Sequence, residues 1–201
     1  FPSKTIKLIS GATAGSASDI IGRAVGEKLQ AELGQSVVLE NRTGASGMVA
    51  VQAVLAAPPD GHSIFVYTAA HTVVPLITKI NYDPLKDFSH ITNMVIFPLI
   101  LVTHPSVPAK TTQELINLAK AKPKQIFFAT PGSGNSAHLA GELFNSMANI
   151  QTVHVPYKGQ GPAMGDLVAG QVQMMFASIP SVLPQVKSGQ VNAIAMGSAK
   201  R

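Results

Sequence analysis

With 201 residues and no cysteine, the chain has room for one large or two small domains, buries about 70% of its extended-state surface on folding, and cannot carry disulfides, thiol nucleophiles or Cys-ligated metals. Hydrophobic residues at 46% against 12% charged exclude intrinsic disorder, and no stretch approaches the ~20 uninterrupted apolar residues of a membrane helix, so direct membrane insertion is not expected. The net charge of +5 comes from dispersed lysines, with no Trp and no basic run interleaved with aromatics, which argues against nucleic acid and leaves a mild bias toward anionic ligands.

The chain opens at Phe1-Pro2-Ser3-Lys4 without an initiator Met, and reads as a processed or trimmed form from which a secretion signal has been removed. Residues 5–9 alternate into a strand, and the Gly/Ser-rich stretch 10–18 follows as a loop. Asp19 is placed to cap a helix running to about Leu33, with Gly34 as its stop. A strand at 37–40, a helix from about 46 to 56, the turn Pro58-Pro59-Asp60-Gly61 and a strand at 64–67 complete a β-α-β-α-β unit. Such alternation implies parallel strands with right-handed crossovers. Residues 68–97 read as irregular, with a turn at Asn81-Tyr82-Asp83-Pro84.

A strand at 99–103 and an extended crossover at His104-Pro105-Ser106-Val107-Pro108 set the expected boundary, giving a first lobe at 1–102 and a second at 103–196. In the second lobe the expected elements are helix 112–121, strand 126–129, helix 136–147, strand 152–155, helix 162–169, strand 173–176, helix 181–187 and strand 191–196. Residues 197–201 would begin a return crossover. The second lobe has helices for both faces of its sheet. The first does not, so it is expected to leave an apolar face open and reads as incomplete.

One unit is written twice. Gly15-Ser16-Ala17-Ser18-Asp19 opens a helix in the first copy, and Gly134-Asn135-Ser136-Ala137-His138 does so in the second. Each helix leads to a β-branched strand ending in a Gly-bearing turn, Asn41-Arg42-Thr43-Gly44 and Pro156-Tyr157-Lys158-Gly159. Two like lobes facing each other suggest a cleft lined by loops and helix N-termini, whose unpaired N–H groups and partial positive charge suit a small anion.

Gly132-Ser133-Gly134-Asn135-Ser136-Ala137 also fits the loose dinucleotide pattern between a strand and a helix. The next strand, Val153-His154-Val155, offers no acidic residue for a ribose. The loop is therefore either a structural glycine turn or an anion trap in which Ser133, Asn135 and Ser136 add side-chain donors, with a Rossmann-like nucleotide-dependent enzyme as the alternative reading. There is no Walker A sequence, no G-x-S-x-G and no H-E-x-x-H. The six histidines lack metal-ligand spacing, and the ten carboxylates fall at caps, turns or polar helix faces, so no metal site, cofactor or acid/base pair is expected and no catalysis. His138, in the first turn of the anion-facing helix, serves either ligand contact or solvation of the helix start. Met174 and Met175 read as core.

Several segments carry a resemblance that runs in order through the whole chain. They are Phe1-Pro2-Ser3-Lys4-Thr5-Ile6, Gly34-Gln35-Ser36-Val37-Val38-Leu39-Glu40-Asn41-Arg42, Pro58-Pro59-Asp60-Gly61 and Asn81-Tyr82-Asp83-Pro84-Leu85-Lys86-Asp87-Phe88. The second half adds Ser136-Ala137-His138-Leu139-Ala140-Gly141-Glu142-Leu143-Phe144, Val153-His154-Val155-Pro156-Tyr157-Lys158-Gly159 and Asp166-Leu167-Val168-Ala169-Gly170-Gln171-Val172-Gln173. In these the chain resembles the periplasmic solute-binding proteins of tripartite tricarboxylate transporters, the Bug family. The resemblance implies an α/β, two-lobed type II periplasmic-binding fold, each lobe a mainly parallel sheet flanked by helices. It further implies capture of a small mono- or dicarboxylate without chemistry, in the periplasm, for delivery to membrane permease subunits. Carried over by position, the contacts are Ala12, Thr13, Ala14, Gly15 and Ser18 in the first loop, Thr68 with His71 nearby, Ser133, Asn135, Ser136 and His138 in the second, and Ala177 and Ser178 beyond strand 173–176.

The chain departs from the family pattern at three places. Residues 10–19 replace the usual Pro-Phe-x-Pro-Gly-Gly-x-x-Asp run and are one residue longer. Ala177-Ser178 stand where the family commonly has Asp, which predicts a preference for acids without an ammonium group, since a buried cation needs an acceptor. Family members also continue beyond the position of Arg201, and their remaining segment completes the first lobe.

Overall fold

The computed structural model describes residues 1–68, 70–96 and 98–198, save the side chain of Ser46. The chain divides into two units, Phe1–Ile96 and Phe97–Arg201. In the first, β1 (Ile6–Ser10), α1 (Ala17–Leu33), β2 (Val37–Asn41), a 3-10 turn (Ala45–Gly47) running into α2 (Met48–Leu55), β3 (Ser63–Val66) and α3 (Ala70–Ile77) follow in order. The strands make a parallel sheet in the order β2-β1-β3, with Leu8 opposite both Leu39 and Ile64. Ile6, Leu8, Leu39 and Val66 form its core, joined by Val37 and Ile64.

Two expectations are corrected here. Asp19 is not the cap of α1; Ser16 is, in extended backbone, and its hydroxyl accepts from the Asp19 N–H. The stretch 68–97, read as irregular, contains α3. Pro75 sits inside that helix and blurs its signal, yet His71 and Val74, three residues apart on one face, are buried and hold it.

The second unit consists of β4 (Leu99–Thr103), α4 (Thr112–Ala121), β5 (Phe127–Thr130), α5 (Ser136–Ala148), β6 (Val153–Pro156), α6 (Gln160–Val168), β7 (Met174–Ser178), α7 (Ile179–Lys187) and β8 (Asn192–Met196). Its sheet runs β6-β5-β7-β4-β8, with β5 parallel to β6 and β7 and with β4 antiparallel to β7 and β8. The boundary expected after residue 102 would cut β4. Leu101 lies opposite Phe176 and Val102 opposite Met175, so the whole strand belongs to the second unit. Hydrophobic periodicity marks a strand but does not say which sheet it joins, and that is why the boundary was misplaced. The return crossover expected from 197 falls largely on residues 199–201, outside the described residues.

Neighbouring residues on these strands point to opposite faces, as the pleat requires. Val102, Ala129 and Met175 pack with Ala163, Met164 and Leu167 of α6 and Val182 of α7. Leu101, Phe128 and Met174 pack with Leu115 and Ala119 of α4, and Phe144 and Ala148 of α5 lean on the same cluster. A sheet buried on both faces explains the unbroken apolar runs of β4 and β7. Each large side chain fully withdrawn from water contributes about 1.5–3 kcal/mol, so the sheet is a firm base for the loops at its ends.

Candidate functional site

Strands β5, β6 and β7 run the same way, so their C-terminal ends lie along one edge of the second sheet, each followed by a helix start. Crevices at that edge of parallel sheets are where α/β folds receive ligands. The loops there are tied together. The Tyr157 N–H donates to the Thr130 carbonyl at 2.9 Å and the Gly159 N–H to the Pro131 carbonyl at 3.0 Å. The Gln160 side chain reaches Ser181 on α7 at 3.1 Å.

The loop after β5 is the best-equipped of the three. Gly132 and Gly134 take positive φ, 149° and 79°, which a side chain would resist. Asn135 caps α5: its Oδ1 accepts from the His138 N–H at 3.0 Å, while its Nδ2 donates to the Gly132 carbonyl at 2.6 Å. The His138 Nδ1 in turn accepts from the Gly134 N–H at 3.1 Å. Among the described residues, the N–H groups of Ser136 and Ala137 and the hydroxyls of Ser133 and Ser136 have no protein acceptor, and both serines are exposed. The helix start thus offers free donors and partial positive charge, which is what an anion needs.

Of the expected contacts, Ser133 and Ser136 are presented, whereas the Asn135 and His138 side chains are spent on holding the loop. Ala177 is 1% exposed inside the apolar cluster under α6 and α7. Ser178 ends β7 as the N-cap of α7, and its hydroxyl shares a 2.7 Å hydrogen bond with that of Ser181. The Tyr157 hydroxyl donates to Asp166 at 2.6 Å; burial first, then the bond to Asp166 and its charge, push the phenol up to about 12.

The first unit builds a similar edge. Ala12, Thr13, Ala14 and Gly15 form the loop after β1, and its close partner is the 3-10 turn: a Cβ on Gly11 would lie 2.7 Å from Gly47 Cα. The Asn41 side chain donates to the Ala12 carbonyl at 3.0 Å, and Ser16 and Ser18 hydroxyls lie 3.4 Å apart. The Asp19 Oδ2 accepts from the Gly15 N–H at 3.0 Å, and Arg23 bonds Asp19 from below. Burial works to raise the Asp19 carboxyl, but hydrogen bonds from Arg23, Gly15 and Asn41 and the Arg23 charge outweigh it and hold it low. Thr68 is exposed after β3. His71 is 6% exposed and packed among Phe65, Tyr67, Tyr82 and Phe88, with burial lowering its pKa; it is not presented with the loop.

Sequence reading missed the imidazole stack beneath the second loop. His138 lies on His154 with ring centroids 3.9 Å apart, and Phe128 lies under His154 at 5.0 Å. The pair is legible only from the register Phe128↔His154 across β5 and β6. Among the described residues there is no group of three or more His, Asp or Glu placed to hold a metal ion.

The sequence profile described as "Tripartite tricarboxylate transporter family receptor" matches residues 21–201. The chain belongs to that family. A UPF0065 protein of Bordetella bronchiseptica is 36% identical over all of this chain and 60% of its own length. Solved relatives cover the whole chain too. An R. palustris protein with adipate superposes with TM-score 0.96 at 30% identity over 68% of its length, and a periplasmic transporter with 0.92 at 35% over 68%. MatC from Rhodopseudomonas palustris with bound malate superposes with 0.89 at 28% over 69%. The family fold of two mainly parallel, helix-flanked units therefore holds for this chain. The chain spans about 60% of the length of the curated relatives it matches. The alternative of a nucleotide-dependent enzyme at 132–137 finds no support in these comparisons, and β6 ends in His154-Val155-Pro156 with no carboxylate for a ribose.

Proposed function

We propose that this receptor chain captures a small organic carboxylate at the loop-bearing edge of its second sheet and performs no chemistry on it. The observation that carries the reading is the start of α5, where, among the described residues, the N–H groups of Ser136 and Ala137 and the Ser133 and Ser136 hydroxyls have no protein partner. Relatives solved with adipate and with malate support the class of ligand. Membership of a transporter receptor family supports delivery to membrane permease subunits, and the similarity to a periplasmic transporter supports a periplasmic location. No helix among the described residues is long and apolar enough to cross a membrane. Among the described residues the loop 131–135 carries no carboxylate to balance an ammonium group, which supports a preference for acids lacking one over amino acids.

A thermal-shift panel of mono- and dicarboxylates tests this. A true ligand stabilises by RT ln(1 + [L]/Kd), about 2.7 kcal/mol at a hundredfold excess over Kd. Saturable shifts with succinate, malate or adipate and weaker ones with aspartate and glutamate are expected. A ligand-free preparation that responds to no acid, or to NAD or ATP alone, refutes the reading.

A further inference from the structure

The two loops close by the same ring of hydrogen bonds but with different chemistry at one corner. In each, the cap side chain (Ser16 or Asn135) accepts from the N–H three residues on, and the residue there returns an acceptor to the N–H of the glycine before the cap. Both glycines take nearly the same positive φ, 76° for Gly15 and 79° for Gly134. The arrangement is a capping box shifted back by one residue. In the first unit the returning acceptor is the Asp19 carboxylate, 5% exposed and fixed by Arg23. In the second it is the Nδ1 of His138, an acceptor only while it carries no proton.

His138 stands on a second support. The His154 Nε2 lies 2.6 Å from the Thr130 Oγ1, and that hydroxyl donates to the Gly132 carbonyl at 3.0 Å while accepting from the Gly132 N–H at 3.4 Å. With the Thr130 proton directed to Gly132, His154 must present Nε2–H to Thr130. The bond from the Gly134 N–H requires a bare Nδ1 on His138. The two rings are stacked face to face and bonded to the same loop, one at Gly134 and one through Thr130 at Gly132. The groups facing His138 are few. Glu142, on its own helix, is 3.8 Å from Nε2, and His154 comes from β6. Strands β5 and β7, against which α5 packs, carry no ionisable side chain.

A proton on the His138 Nδ1 would set a donor against the Gly134 N–H donor and lay a cation on the neighbouring imidazole at the positive end of α5. Its countercharge would be Glu142 rather than a ligand above the loop. We propose that His138 and His154 are positioning residues that make the second loop a proton-sensitive latch: closed to receive an anion while Nδ1 is bare, opened at Gly134 when it is protonated, with the Asp19 loop unaffected. The link to ligand affinity rests on the carboxylate reading; the latch itself does not.

Two measurements on the folded chain separate them. Amide exchange protection by NMR, corrected for the intrinsic pH dependence of exchange, is compared for Gly134 and Gly15 at pH 8 and pH 5.5 in the wild type and His138→Asn. Asn keeps an acceptor near the Nδ1 position but does not titrate. Gly134 protection is expected to fall about tenfold in the wild type, the equivalent of one lost hydrogen bond, while Gly15 and the Asn variant hold. Titration calorimetry with succinate is expected to show the same fall in affinity, read as the ratio between wild type and variant so that the acid's own ionisation cancels. Unchanged Gly134 protection, an equal response in His138→Asn, or wild-type affinity that rises on acidification relative to the variant overturns the latch. If Gly134 responds as expected and no acid binds at pH 8, the latch stands and the carboxylate reading falls.

Discussion

Gly141 is the position at which a single methyl group should matter most. It lies in the interior of α5, where replacing Gly with Ala ordinarily stabilises a helix by about 1 kcal/mol. Here a Cβ would overlap Cε2 of Phe128 and lie 2.8 Å from its Cδ2 and Cζ. Phe128 is fully buried at the centre of β5 and stacks on His154, so its ring cannot retreat without disturbing the core or the support of the loop. Overpacking of this kind costs about 1–3 kcal/mol, with a rigid buried ring at the upper end, and the helix-propensity gain offsets only part of that. Gly141→Ala should therefore lose about 1–2 kcal/mol, a fall in Tm of roughly 2–8 °C for a chain of this size. Gly165→Ala is the internal control. It sits exposed within α6 with no atom within 4 Å of its would-be Cβ, so the same change should stabilise by about 0.5–1 kcal/mol. Urea denaturation followed by circular dichroism gives both values. If Gly141→Ala is as stable as the wild type while Gly165→Ala behaves as expected, the helix does not lie on Phe128 as described and the reasoning fails.

Further outcomes follow from the same geometry. Ser16→Ala and Asn135→Ala should each lose about 1 kcal/mol of stability in urea, with Asn135 the costlier because its Nδ2 also holds the Gly132 carbonyl; the reverse order would contradict the assigned roles. Burial, then the charge His138 can carry, lowers His154 from 6.5 to about 4. The unfolded chain therefore binds that proton first, so its contribution, about 2 kcal/mol after allowing for partial exposure, is complete above pH ~6.5 and is lost as pH falls toward 4. Stability curves over that window should be flatter in His154→Phe, and identical slopes would show that the imidazole is not withdrawn from water. Tyr157→Phe should remove a phenol ionisation near 12 from the ultraviolet pH titration and cost about 1 kcal/mol through the lost bond to Asp166; a variant whose titration matches the wild type would argue against that bond.

Local chemistry determined much of this protein. Alternating and continuous apolar runs, the Gly/Ser loops, Thr112 to Ala121 as a helix and Met174-Met175 as core could all be read in the chain, because each depends on a few neighbouring residues and the period of a strand or helix. The doubled loop was legible for the same reason: a glycine and a short polar cap at fixed offsets announce a helix start wherever they occur. What needed the tertiary structure were partnerships across the chain. Residues 99–103 show a strand but not that Leu101 meets Phe176 in the second sheet. Pro75 hid α3, which is held by the burial of His71 and Val74 rather than by propensity. In sequence Asp19 looks like a cap and His138 like either a ligand contact or a solvating group at the helix start; they become the closing acceptors of their loops only when Ser16 and Asn135 take the caps. The stack of His138 on His154 joins α5 to β6 through a register that no local pattern encodes. Secondary structure is set by short-range sterics and hydrogen bonding, whereas sheet order, side-chain stacking and the electrostatics of a buried acceptor arise from residues that the chain brings together only on folding.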